Sequence, residues 1–231
     1  MTVPLTQVSA ASGRLRLLTL DITGETFDYL AGQAVRVAPH GSIDRRPYSI
    51  ACSPERAAET RTLELLIAME GGSEDLGWAA AGARVDVEGP VGSFTFPPSF
   101  EQQRLLFVAG GTGIAPVRAM IDHALRLPPA HRISLLYSTR RSDEFAFIDE
   151  FRTHERGGRL EVHQTVTRDD SATWGGSRGR MGRSHFEAVL RAPAATLCFV
   201  CGPPLMVSES EATLQVLGVP AGSIKTEMWG K

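Results

Sequence analysis

Between Leu106 and Pro116 an apolar stretch runs into Gly110, Gly111, Thr112 and Gly113. Glycines at such positions let a backbone approach a ligand closely and adopt dihedrals closed to other residues. Pro116 suits the first turn of a helix, where its missing N–H would be unpaired anyway. A strand running through bare backbone into a helix N-terminus is a diphosphate site. A full G-x-G-x-x-G fingerprint would need glycine at position 116, so this turn is a variant of it, and a purely structural tight turn is its plainer reading.

Two further motifs stand at strand ends. Arg46-Pro47-Tyr48-Ser49 closes an apolar run of the first half, and Cys201-Gly202-Pro203-Pro204 closes the last such run of the second. Cys198 and Cys201 have the spacing of a dithiol or zinc half-site, yet they lie in a β-type run. Residues three apart on a strand point to opposite faces, ~10 Å apart, beyond the ~7 Å Cα separation that a disulfide spans. Three cysteines are also too few for a 2Fe–2S cluster. The histidines (His40, His123, His131, His154, His163 and His185) show no metal-ligand spacing, so no metal site is expected.

The elements that must hold these motifs divide the chain. Its 231 residues suit one large domain or two small ones. Lys plus Arg total 24 against 26 Asp plus Glu, a formal charge of -2, which gives no reason to expect a nucleic-acid partner. With 42% apolar and 22% charged residues the composition is globular. No run reaches the ~20 apolar residues of a membrane span and no signal peptide opens the chain, so a soluble cytoplasmic protein is expected. Through residue 96, short β-type stretches recur over 14–20, 34–38, 46–51, 62–69, 84–88 and 93–96. About six strands at that spacing predict an antiparallel barrel or sandwich. Residues 97–103 read as a linker. Beyond it, β-type runs at 104–109, 133–138, 160–166 and 196–201 interleave with helical patterns at 116–127, 144–155, 184–191 and 205–217. Such alternation predicts a parallel sheet covered on both faces, with ligands at the carboxyl ends of its strands where the strand order reverses.

Taken in order, the motifs resemble the ferredoxin–NADP⁺ reductase superfamily over nearly the whole chain. They are Arg46-x-Tyr48-Ser49, Gly71-Gly72-Ser73, Gly89-Pro90-x-Gly92-x-Phe94, the turn from Gly110 to Pro116, Cys201-Gly202-Pro203 and a terminal Glu227-x-Trp229. The resemblance implies a six-stranded FAD-binding barrel over 1–99 and an NAD(P)-binding α/β domain over 103–231, without an iron–sulfur domain. Arg46 would then pair with a flavin phosphate, a task for its fixed guanidinium fork. Pro47 and Tyr48 would lie at the isoalloxazine ring, and Ser49 near the flavin N5. Gly71, Gly72 and Ser73 would hold the flavin diphosphate, although Glu74 and Asp75 follow and would repel phosphate if aimed at it.

Gly111, Thr112, Gly113 and Pro116, with Gly202 and Pro203, would bind the nicotinamide nucleotide. Cys201 would sit at the nicotinamide–flavin contact, its plainer reading being a small buried hydrophobe. Glu227 matches the family's acidic residue near the C-terminus, and Trp229 its aromatic one over the flavin. Arg140, Arg168 and Arg180 fall where NADP-using relatives carry basic residues, which favours NADPH over NADH; simply solvated arginines are the alternative. The implied activity is hydride transfer from the nucleotide to FAD (FMN being the other flavin), then electron transfer to ferredoxin or flavodoxin. The alternatives are the NADH-dependent reductase component of an oxygenase system and a non-catalytic regulatory subunit.

Overall fold

Period-two alternation buries Val3, Leu5, Leu18, Leu20, Val35, Val37, Leu63, Leu65, Val85 and Val87 together, and it builds the strands of the N-terminal half. The computed structural model describes residues 1–69, 79–128 and 131–229. Six of its strands are β1 (Thr2–Ala10), β2 (Leu15–Asp21), β3 (Ala34–Pro39), β4 (Arg46–Ser49), β5 (Thr62–Ala68) and β6 (Arg84–Val91). Their order is β4-β3-β6-β1-β2-β5, antiparallel throughout. An Ile50–Leu65 bridge and a 2.7 Å bond from the Ala51 N–H to the Glu64 carbonyl join the two outer strands and close the barrel. Helix α1 (Pro54–Thr60) lies between β4 and β5, its N-terminus capped by the Ser53 hydroxyl.

One expectation about this half needs correction. The sixth strand is Thr2–Ala10, not residues 93–96. Ser93–Phe96 alternates like a strand, but Phe94 and Phe96 turn away to pack on Phe199, with ring centroids 6.2 and 5.4 Å from it. The proline-rich stretch after them is likewise anchored, since Phe100 meets the Phe96 ring edge-on at 5.4 Å.

The second sheet is parallel. It comprises β7 (Arg104–Gly110), β8 (Arg132–Thr139), β9 (Glu161–Val166), β10 (Ser177–Arg178), β11 (Thr196–Gly202) and β12 (Ile224–Met228), in the order β10-β9-β8-β7-β11-β12. Helices α2 (Ile114–Arg126), α3 (Ile148–Arg156), α4 (Arg183–Val189) and α5 (Pro204–Val216) connect the strands. Strand β11 is buried at every residue, the mark of a central parallel strand covered on both faces. From β7 the chain winds outward through β8 and β9, then returns to β11 on the other side. The strand order therefore reverses between β7 and β11, and the glycine turn leaves the sheet at that point. Among the described residues no helix is long and apolar enough to cross a membrane.

Candidate active site

The turn after β7 is built by close approach. Gly111 has φ +55° with nothing within 4 Å of where a Cβ would stand, so its open side faces space. Gly113 is the opposite case: a Cβ there would overlap the Cys201 carbonyl, so glycine lets the turn lie directly on β11. Gly110 and Gly202 similarly leave room for the Met206 side chain between them. From behind, the buried Tyr137 hydroxyl donates to the Gly111 carbonyl at 3.3 Å. Pro116 falls in the first turn of α2, as its chemistry demands.

A cleft of about 550 Å³ opens above this turn. Its walls include Gly110, Gly111 and Thr112 after β7, Arg140 after β8, Arg180 after β10, Gly202 and Pro203 after β11, and Trp229 beyond β12. Most of the sequence-predicted nucleotide residues are thereby brought together. Gly113, Pro116 and Cys201 stand behind the wall, buried. Arg168 is not among the lining residues; its N–H donates to the Arg140 carbonyl at 2.8 Å, its side chain is exposed, and Thr167 lines the cleft in its place.

The barrel closes the other side through Arg14, Leu15 and Ala68, which sequence reasoning did not single out. Arg14 reaches Glu144 at 3.9 Å, and the Gly13 N–H donates to the Asp143 carbonyl at 3.3 Å. Glu144, also missed, places an acid in the cleft and accepts the Arg140 N–H at 3.2 Å. Its turn is pinned by the Ser142 hydroxyl and N–H on Asp169, whose carboxyl they hold down at about 2.

The chain's last described residues form a small polar cluster. Trp229 Nε1 donates to Glu227 Oε2 at 2.7 Å, and the Cys201 thiol reaches the same oxygen at 3.7 Å. Glu227 and Cys201 are register partners on β12 and β11. Burial pushes Glu227 above the ordinary carboxylate range, opposed by the indole and thiol bonds. Burial also pushes the Cys201 thiol well up, so it stays protonated. Trp229 is further tied by its N–H to the Gly202 carbonyl at 3.0 Å.

Strand β4 carries the remaining candidates. Arg46 and Pro47 are exposed, Tyr48 is half-buried against the barrel core, and Ser49 is buried. Arg46 lies 3.7 Å from Asp44. A guanidinium, a phenol ring and a hydroxyl following one another on an outer strand are a fitting donor set for a flavin's phosphate and ring. Gly71, Gly72 and Ser73 lie outside the described residues, as do Glu74 and Asp75. Among the described residues no group of His, Cys, Asp and Glu gathers that could hold a metal ion.

A closed antiparallel barrel facing the switch point of a parallel sheet defines a two-domain reductase architecture, and known proteins agree with it. Residues 107–211 match the oxidoreductase NAD-binding domain family. A ferredoxin–NADP reductase B of Sorangium cellulosum is 31% identical over 217 residues, covering 89% of this chain and 87% of that one. The reductase subunit of an Amycolatopsis aromatic O-demethylase is 29% identical over 216 residues, covering 90% of this chain but 62% of its own length. The solved ferredoxin reductase of a carbazole 1,9a-dioxygenase superposes with a TM-score of 0.86 at 24% identity, over 100% of this chain and 69% of that one, and so shares the fold. The chain belongs to the ferredoxin–NADP⁺ reductase superfamily, a class of NAD(P)H-dependent flavoprotein oxidoreductases.

Proposed function

We propose that this protein is an NADPH-dependent reductase that carries FAD and delivers electrons to a separate protein of the ferredoxin or flavodoxin type. The observation that carries the reading is the shared cleft: the glycine turn at the switch point and the barrel residues Arg14, Leu15 and Ala68 line one space, closed by Trp229. When bound, FAD accepts a hydride from the nicotinamide and releases its two electrons one at a time, chemistry that belongs to the cofactor.

The chain's own residues bind and orient. Arg46 holds the flavin phosphate, and Pro47, Tyr48 and Ser49 border the ring. Gly111 and Thr112 seat the nucleotide diphosphate against the start of α2, where the helix dipole favours anions, and Gly113 lets that turn lie on β11. Cys201, just behind the cleft wall, and Glu227 border the meeting point of nicotinamide and flavin; burial keeps the thiol protonated and raises the pKa of the carboxyl beside it. Trp229 covers the flavin face until the nucleotide enters. Arg140 and Arg180 in the cleft favour a 2′-phosphate, which supports NADPH. Three free, buried cysteines suit a reducing cytoplasm.

A second reading, the NADH-dependent reductase component of an oxygenase system, draws on Glu144, an acid within the cleft that could meet ribose hydroxyls. An anaerobic titration of the purified yellow protein with NADPH and NADH in parallel, followed by flavin absorbance, tests both. Faster bleaching by NADPH supports the first reading, faster bleaching by NADH the second. A flavin-loaded protein that neither nucleotide reduces sinks both and leaves a non-catalytic subunit.

A further inference from the structure

The two halves of the molecule meet through a chain of alternating charges, and two members, Arg118 and Asp122, are buried. Arg118, the fifth residue of α2, has a side chain only 5% exposed. Its Nη1 donates to the Ala51 carbonyl at 2.9 Å and to Glu64 Oε2 at 2.6 Å, both in the barrel half. Its Nε donates to Glu150 Oε2 at 2.9 Å on α3. The guanidinium lies 4.3 Å from the centre of the Phe147 ring. Glu150 in turn accepts from Arg56 of α1 at 2.9 Å, and Arg56 grips Asp122 of α2 at 2.9 and 3.1 Å.

What distinguishes Arg118 from an ordinary buried ion pair is what its partners lead to. Ala51 follows Ser49 by two residues, ~7 Å along an extended chain from the flavin-side strand. On the other side Arg118 stands four residues past Ile114, ~6 Å up the helix from the glycine turn. One planar fork therefore spans the root of both cofactor sites. Hydride transfer requires reacting atoms ~3–3.5 Å apart, and a displacement of ~1 Å can cost about a hundredfold in rate. A lysine would keep the charge but not three directed bonds in one plane.

We propose that Arg118 is a positioning residue that sets the distance and angle between the nicotinamide and flavin sites by fastening the end of β4 to the start of α2. This rests on the flavoprotein reductase reading above. The test uses the holoenzyme in wild-type, Arg118→Met and Arg118→Lys forms, with Arg126→Met as control. Arg126 also crosses the boundary, pairing with Glu59, and meets Asp122 within its own helix at 3.7 Å, but it bonds neither the Ala51 carbonyl nor Glu64. Single-turnover reduction under anaerobic conditions separates nucleotide affinity from the limiting rate. Long-wavelength charge-transfer absorbance reports nicotinamide–flavin stacking, and hydrogen exchange of the Ala51 amide, which bonds the Glu64 carbonyl, reports whether the segment that Arg118 holds has loosened.

For Arg118→Met the expected result is a limiting rate at least about tenfold lower, an apparent nucleotide Kd within about twofold, weaker charge-transfer absorbance and faster Ala51 exchange. Arg118→Lys should fall between it and wild type, and Arg126→Met should match wild type. If Arg118→Met fails to fold, Arg118→Lys carries the same comparison. A wild-type limiting rate and charge-transfer band in either folded Arg118 variant would overturn the proposal. So would an equal loss in Arg126→Met, which would make the interface generally structural. A wild-type protein that neither nucleotide reduces would instead overturn the reductase reading.

Discussion

The indole of Trp229 donates a 2.7 Å hydrogen bond to the carboxyl of Glu227, so the aromatic ring is fixed directly to the acid two residues before it. Burial raises the Glu227 pKa, and the Trp229 bond works against that rise. A raised carboxyl contributes its stability below its ordinary pKa and loses it as pH climbs through the folded value. Glu227→Gln, which cannot ionise yet still accepts the indole proton, should therefore gain on wild type as pH increases from about 4 to about 7. Parallel urea midpoints across that range would show that Glu227 does not titrate as described. Trp229→Phe should widen the gap, because it removes the bond that favours the charged form.

Arg14 tests whether the barrel takes part in nucleotide binding. It faces the cleft from the β1–β2 turn and is drawn toward Glu144, on the opposite wall. A half-exposed charge pair or phosphate contact is worth about 1 kcal/mol, or roughly fivefold in affinity. Arg14→Ala should accordingly raise the nucleotide KM about fivefold and leave kcat within about twofold. An unchanged KM for both nucleotides would confine binding to the α/β half.

The parts legible in the sequence were those carried by local pattern. The buried runs of β7 and β11, and the glycine turn leaving β7, need only apolar composition and backbone freedom, and the observed strands begin and end within a residue or so of the expected ones. Strand β1 was missed because Pro4 and a bulge between Leu5 and Gln7 break its period. Phe94 and Phe96 misled because alternation states only that two side chains are buried, not that a ladder pairs them; their partner, Phe199, is a hundred residues away. Helix α1 has a readable start, since Ser53 followed by Pro54 is a cap and a first-turn proline, but its seven residues are too few to show a helical period. Arg14, Glu144 and Arg118 carry no local signature at all. They matter only because folding sets the two halves against each other.

The cleft also reorders the basic residues. Arg180 lines it and Arg168 does not, although both follow strands of the parallel sheet. If a 2′-phosphate is bound here, Arg180→Ala should raise the NADPH KM about tenfold, about 1.4 kcal/mol of lost charge-assisted bonding. The NADH KM should barely move. Arg168→Ala should shift both by less than about twofold. Equal effects of Arg180→Ala on the two nucleotides would remove the charge argument for NADPH.

Gly111 and Gly113 stand two residues apart in one turn and should fail for different reasons. At Gly113 the backbone is ordinary, with φ -59° and ψ -9°, so an alanine costs nothing in dihedral strain. Its Cβ would nevertheless overlap the Cys201 carbonyl, and the turn would have to lift off β11. Overpacking of this kind costs about 1–3 kcal/mol, and backbone against backbone belongs at the upper end. Gly111 has open space around it but sits at φ +55°, where a Cβ costs about 1–2 kcal/mol. Gly113→Ala should thus lower the urea midpoint more than Gly111→Ala does. The nucleotide KM should follow the reverse order among the folded variants, because only at Gly111 does the new methyl project into the cleft. Urea denaturation and steady-state kinetics on the two proteins are enough to check this. If Gly111→Ala left the nucleotide KM unchanged, the turn would be a structural corner instead of a phosphate seat.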